Sequence, residues 1–208
     1  MHCQKELEED RSYAGFLPDS LLFKWFNDSY STSKHLFTLY SMARGLEART
    51  ILEIGFGRST FVLARAVHEN GGRLIACDTS DFSYLLSEAE KSVTTFICGA
   101  SDEVWKTLAG GIDLAFLDYF SSGSLTRRFC LAELKTCLSF LKTNGLIAVH
   151  DSIVEKYNVR KALKKLAGKR TVEYASLPYS SGLGILHYLG RSPHGELADP
   201  FVKKRDSG

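Results

Sequence analysis

The chain has 208 residues, the length of one domain, and its 44% hydrophobic and 24% charged content is that of an ordinary globular protein. That composition excludes a disordered, collagenous or low-complexity scaffold. A net charge of +2 and a pI near 8.2 fall short of the basic excess that marks a nucleic-acid binder, and the apolar runs are too short for the roughly 20 residues of a membrane span.

The first ten residues, M-H-C-Q-K-E-L-E-E-D, are polar and acidic and read as neither a signal nor a transit peptide, which points to the cytoplasm. Helices are predicted near 18–28 and 33–46, with Pro18 suited to a first turn and Ser31 to Ser33 offering N-caps. Phe16, Phe23, Trp25, Phe26, Tyr30, Phe37 and Tyr40 make this arm, residues 1–48, strongly aromatic. It is expected to pack on the domain or to form a lid over a substrate.

From residue 49 to 190, short apolar runs alternate with helix-length segments, the pattern of a parallel α/β sheet. The predicted strands are Thr50–Ile54, Arg73–Cys77, Val93–Cys98, Ile112–Leu117, Gly145–His150, Thr171–Tyr174 and Leu183–Tyr188. Helices are expected near 59–69, 82–90, 102–109, 124–142 and 155–167; Leu131, Leu134, Leu138 and Leu141 mark one face of the fourth. The last two strands are joined only by L-P-Y-S-S-G, a turn sequence that predicts an antiparallel edge hairpin. The fold class is therefore doubly wound α/β with a mostly parallel, seven-stranded sheet, followed by a polar tail, residues 191–208. None of the five cysteines sits in C-x-x-C, and Cys77, Cys98, Cys130 and Cys137, inside apolar segments, read as reduced core residues.

The densest signal is Glu53-Ile54-Gly55-Phe56-Gly57-Arg58-Ser59-Thr60, which leaves the first strand and opens the first helix of the sheet. Glycines suit a backbone that must turn sharply and approach a ligand, and Ser59 or Thr60 can cap the helix start. Asp78 ends the next strand, where a carboxylate can accept both hydroxyls of a ribose. Together these features place a nucleoside here. A dinucleotide fold wants a third small residue where Thr60 stands, and Glu53 would repel phosphates but suit a cationic amino-acid moiety. Both points favour S-adenosylmethionine over NAD.

The segment from residue 50 to about 190 resembles the class I S-adenosylmethionine-dependent methyltransferases, most nearly the small O-methyltransferases of the catechol type. The resemblance rests on E-I-G-F-G-R-S-T with Asp78, on Gly99-Ala100-Ser101-Asp102, on Phe116-Leu117-Asp118-Tyr119-Phe120 and on Ala148-Val149-His150-Asp151-Ser152. It implies a Rossmann-like fold, with Glu53 toward the methionine end of the cofactor, Asp78 on its ribose, and Gly55, Gly57, Ser59, Thr60 and Asp118 among the cofactor-binding residues. It also implies Ser101 and Asp102 beside the adenine and Tyr119 or Phe120 against its face. In the family, carboxylates at the positions of Asp118 and Asp151 hold magnesium together with an Asn, which here is Ser152. The family's catalytic lysine falls at Ser121, and the second Asp of the related sugar O-methyltransferases falls at Phe120.

His150 is then the remaining candidate base, beside Asp151, although strand alternation would point the two in opposite directions. His35, His68, His187 and His194 show no ligand spacing and are assigned to structural or surface positions. Tyr157 and Lys161 match the Y-x-x-x-K of short-chain dehydrogenases without the glycine pattern those need. Residues 155–170 form a basic segment, read as a solvated helix face compatible with the helix dipole. The expected activity is O-methylation of a small-molecule hydroxyl by S-adenosylmethionine, with magnesium assistance and with a homodimer left open. The alternatives are methylation of RNA or protein, non-catalytic adenosyl-ligand binding, and NAD-dependent oxidation.

Overall fold

The computed structural model describes residue 27 and residues 32–118, 126–168 and 171–190. Its first half runs α1 (Ser33–Gly45), β1 (Thr50–Ile54), α2 (Arg58–Asn70), β2 (Arg73–Asp78), α3 (Glu88–Lys91), β3 (Thr94–Cys98), α4 (Ser101–Thr107) and β4 (Ile112–Leu117). The second half runs α5 (Arg127–Phe140), β5 (Leu141–Val149), α6 (Val159–Ala167), β6 (Val172–Leu177) and β7 (Leu183–Tyr188). The seven strands form one sheet in the order β3-β2-β1-β4-β5-β7-β6, with β7 antiparallel to both β5 and β6 and every other pair parallel. This is the doubly wound, Rossmann-like arrangement that the sequence predicts.

Helices on both faces explain why β1, β2 and β4 are almost continuously apolar. Successive side chains go to opposite faces. Along β1, Ile51 packs with Leu39, Leu63, Val67 and Phe116, while Leu52 and Ile54 join the cluster of Cys130, Leu134, Leu163 and Leu166. Each fully buried Leu or Phe contributes roughly 1.5–3 kcal/mol, and a one-residue slip would exchange the two faces, so the core fixes the register. That register pairs Ile54 with Leu117 and Leu117 with Val149, which levels the carboxyl ends of β1, β4 and β5. Ligands of open α/β sheets bind at that edge.

Local chemistry explains where element bounds differ from expectation. The helix expected over 82–90 is a 3-10 turn, Ser83–Leu85, followed by α3, because Ser87 and Glu90 form a capping box that restarts the helix. Asn158, in the left-handed region with φ 57°, likewise separates a 3-10 turn, Glu155–Tyr157, from α6. The expected helix over 124–142 spans only Arg127–Phe140, because Leu141 pairs with Ile112 as the first residue of β5. Thr32 is the N-cap of α1, without a side-chain capping bond. Cys77, Cys130 and Cys137 are buried free thiols as expected, but Cys98, the last residue of β3, is exposed.

Of the aromatic arm, Phe37 and Tyr40 pack on the core, and the Tyr40 hydroxyl donates to Glu69. Phe16, Phe23, Trp25, Phe26, Tyr30, Tyr119, Phe120, Ser121 and the 191–208 tail lie outside the described residues. No helix among the described residues is long and apolar enough to cross a membrane.

Candidate active site

The glycine turn is built by close packing as much as by ligand access. Gly55 has φ 99°, and a Cβ there would meet the Asp118 carbonyl oxygen at 2.4 Å, so only glycine lets β1 and β4 end side by side. Gly55 N–H donates to Cys77 O and Asp118 N–H to Ile54 O, tying the ends of three strands together. Gly57 differs: its backbone is extended, and a Cβ would meet nothing within 4 Å. Open space at this point of the turn is what an approaching ligand needs.

Gly57 is also the N-cap of α2, and of the two expected caps Thr60 serves the helix start, as the third residue of a capping box, while Ser59 does not. Thr60 Oγ1 accepts from Gly57 N–H at 3.0 Å, and Ser59 Oγ donates to Glu53 Oε1 at 2.5 Å. Glu53 is fully buried, and its Oε2 has no hydrogen-bond partner. Burial pushes its acid up to about 8, against the hydrogen bonds from Ser59 and Thr60 and with help from the charges of Asp118 and Asp78. A buried carboxyl with one orphaned oxygen beside an open turn suits the ammonium of an amino-acid moiety.

Asp78 brings its carboxylate back over the same turn. Its Oδ2 accepts from Phe56 N–H at 3.0 Å, and its Oδ1 accepts from Ser80 N–H at 3.0 Å. Oδ1 also accepts from the Thr79 hydroxyl at 3.4 Å, while Oδ2 keeps a further lone pair for a ribose hydroxyl. Ser101 and Asp102 open α4 just beyond β3, but their side chains are committed elsewhere. The Ser101 hydroxyl donates to Glu133 Oε2 at 2.7 Å, and Asp102 pairs with Lys106 at 3.3 Å. The turn, Glu53 and Asp78 together fit an adenosyl amino acid.

One strand over, Asp118 and Asp151 come together with His150 between them. His150 Nδ1 lies 2.6 Å from Asp118 Oδ1 and 3.7 Å from Asp151 Oδ1, and its Nε2 lies 3.0 Å from Ser181 Oγ. Strand alternation, which would have separated His150 from Asp151, ends at Val149. Asp151 adopts φ 55°, a left-handed conformation that Asp tolerates better than most residues, so both side chains meet Asp118. Burial, the largest influence, works to lower the His150 pKa; the hydrogen bond and charge of Asp118 and the charge of Asp151 outweigh it and raise the pKa.

The ligand atoms of Asp118, His150 and Asp151 all lie within 4.8 Å of one another, a grouping able to hold a metal ion. Magnesium in particular does not fit it as arranged. A hard cation takes oxygen ligands, whereas here an imidazole nitrogen sits between the carboxylates. Ser152, at the place of the family's third oxygen ligand, is fully buried, and its unpartnered Oγ lies where a Cβ on Gly182 would come within 2.9 Å of it.

Two residues of this site were not singled out in the sequence. Ser181 belongs to the β6–β7 turn, which the antiparallel pairing of β7 with β5 carries to the end of β5; there Ser152 N–H donates to Gly182 O and Ile153 N–H to Ser181 O. His35, assigned to a structural or surface position, is fully buried on α1, with its ring edge-on to His150 at a centroid distance of 5.1 Å. Nothing in the spacing of the histidines marks this pairing; only the packing of α1 produces it. Elsewhere His187 pairs with Glu173, and His68 is exposed.

Residues 52–152 match the family described as a methyltransferase domain. Among solved structures, the chain is similar to a cofactor-bound protein from MTB, at 19% identity and a TM-score of 0.66, over 88% of this chain and 94% of that one. It is also similar to the SAH-bound methyltransferase of Podospora anserina (18% identity, TM-score 0.60, 88% and 95% covered). The O-methyltransferase of Bacillus cereus in complex with SAH is comparable, at 17% identity and a TM-score of 0.60, with 86% and 96% covered. No curated protein matches the sequence.

Proposed function

We propose that this chain, whose residues 52–152 match a methyltransferase domain, is an S-adenosylmethionine-dependent methyltransferase that methylates the hydroxyl of a small molecule with His150 as general base. One observation carries the reading: an imidazole held by a carboxylate at 2.6 Å, at the carboxyl ends of β4 and β5, beside the glycine turn. Transfer to a hydroxyl is the case that calls for such a base, because a neutral hydroxyl is a weak nucleophile until its proton leaves.

When bound, S-adenosylmethionine supplies a methyl group on a cationic sulfur. Glu53, Gly57 and Asp78 would hold it. The Asp118 carboxylate accepts Nδ1–H of His150, which fixes the tautomer and leaves Nε2 as the basic nitrogen. The acceptor hydroxyl reaches Nε2 at the position where Ser181 Oγ now hydrogen-bonds. Nε2 would take up the hydroxyl proton as the acceptor oxygen gains the methyl group, with S-adenosylhomocysteine as the leaving product. Asp118 and Asp151 stabilise the imidazolium until its proton returns to solvent. No step requires a divalent ion.

Methyl-labelled S-adenosylmethionine, supplied with a panel of phenols, catechols and sugars and in parallel with bulk RNA and protein, tests this reading. Label should enter a methyl ether of a small hydroxylated compound. Label recovered only in RNA or protein would contradict it and would assign a role to the exposed Arg160, Lys161, Lys164 and Lys165 of α6. The methyltransferase-domain match speaks against the dinucleotide alternative.

A further inference from the structure

His35 is fully buried, yet neither ring nitrogen has a hydrogen-bond partner. The large majority of buried side-chain polar atoms have a hydrogen-bond partner, since an unpaired buried polar group costs its full desolvation, so a ring with both nitrogens orphaned calls for an explanation. The ring is not in a remote corner of the core. It meets the His150 ring edge-on at 5.1 Å and the Tyr179 ring at 5.9 Å, so it borders the group assigned as base. Burial and the neighbouring charge of His150 lower its pKa to about 4, against the pull of Asp118, so the ring is neutral and offers one N–H donor and one lone pair.

Resting on the reading of His150 as base, we propose that His35 binds the acceptor molecule and completes its unpaired nitrogens on an uncharged polar group beside the methylated hydroxyl. The complement of a neutral imidazole is a hydroxyl or carbonyl. An anionic group there would face the carboxylates of Asp118 and Asp151, whose nearest atoms approach His150 at 2.6 and 3.7 Å. The N-terminal helix α1 thereby contributes to acceptor choice, a role distinct from base catalysis. His35 is a specificity-determining residue.

The test uses the full chain with three probes: 1,2-dihydroxybenzene, phenol, which lacks the second oxygen, and 2-hydroxybenzoate, whose second group is anionic. The wild type should prefer 1,2-dihydroxybenzene to both others in kcat/KM. His35→Phe should lose about tenfold on 1,2-dihydroxybenzene, mostly through KM, and change phenol less than about twofold. His35→Asn, which keeps a donor and an acceptor, should recover part of that loss. Equal loss on 1,2-dihydroxybenzene and phenol would overturn the proposal, because a structural role lowers both alike.

Thermal unfolding gives an arm independent of turnover. Removing orphaned nitrogens with an apolar ring of similar shape should leave the Tm of His35→Phe at or above that of the wild type. A Tm lower by several degrees in both variants would show a structural histidine and overturn the proposal. Inactivity of the wild type toward all three probes would overturn the proposal together with O-methylation of such hydroxyls, whereas a Tm lower by several degrees in both variants would overturn the role of His35 alone.

Discussion

Gly55 and Gly57 stand two residues apart in one turn, and alanine at each should damage a different property. At Gly55 the added methyl group meets Asp118 O at 2.4 Å and the residue must hold φ 99°. The conformation alone costs roughly 1–2 kcal/mol for a non-glycine residue. Moving the backbone of β4 to relieve the clash adds to this, for a total on the order of 3 kcal/mol. Gly57 has an extended backbone and open space around the added carbon, so stability should change by less than about 1 kcal/mol. On the proposed reading the cofactor approaches through the same space, so Gly57→Ala should weaken S-adenosylhomocysteine binding by at least about tenfold, or ~1.4 kcal/mol. Urea unfolding and isothermal titration of both variants check this. A Gly57→Ala variant that binds like the wild type, or a Gly55→Ala variant of unchanged stability, would refute the division of labour.

Asp78→Asn keeps an acceptor for Phe56 N–H and Ser80 N–H but loses the carboxylate charge, so S-adenosylhomocysteine affinity should fall by roughly 1.5–3 kcal/mol with little change in Tm; unchanged affinity would remove Asp78 from the ribose site. Glu53 has its acid raised from 4.5 to about 8, so its stabilising contribution is complete below pH 4.5 and is lost as pH rises toward 8. Glu53→Gln should abolish that loss and gain on the wild type with rising pH, by a few kcal/mol at most near pH 8.5, each pKa unit being worth about 1.4 kcal/mol; parallel stability–pH curves from urea unfolding would count against it. If Glu53 meets the ammonium of the cofactor it must ionise, so titrations in buffers of different ionisation enthalpy should detect proton release near neutral pH that Glu53→Gln abolishes.

Patterns that repeat along the chain were readable before any coordinates. β1, β4 and β7 have the bounds their mainly apolar runs predict. The L-P-Y-S-S-G turn likewise predicts the pairing of β6 with β7. Convergence between distant segments was not readable. His35 meets His150 only because α1 packs against the sheet's ligand edge, and Ser181 does so only because β7 inserts between β5 and β6. The meeting of His150 and Asp151 depended on a single backbone angle, φ 55° at Asp151, which strand alternation does not foresee. Ser59, expected as a helix cap, is instead turned toward Glu53, whose burial needs a partner more than the helix end does.

The identity of the base bears most directly on the account. The methyl-transfer rate of the full chain should be followed from pH 5 to 10 in excess EDTA, for the wild type and for His150→Ala, with an acceptor drawn from the phenol, catechol and sugar panel. The raised pKa means that His150 is protonated and idle at low pH, so the wild-type rate should climb through a midpoint above the ordinary histidine value of 6.5. His150→Ala should lose that limb, and EDTA should leave the wild-type profile unchanged. Turnover that chelation abolishes and magnesium restores, with the limb intact in His150→Ala, would contradict a carboxylate-held imidazole as the base.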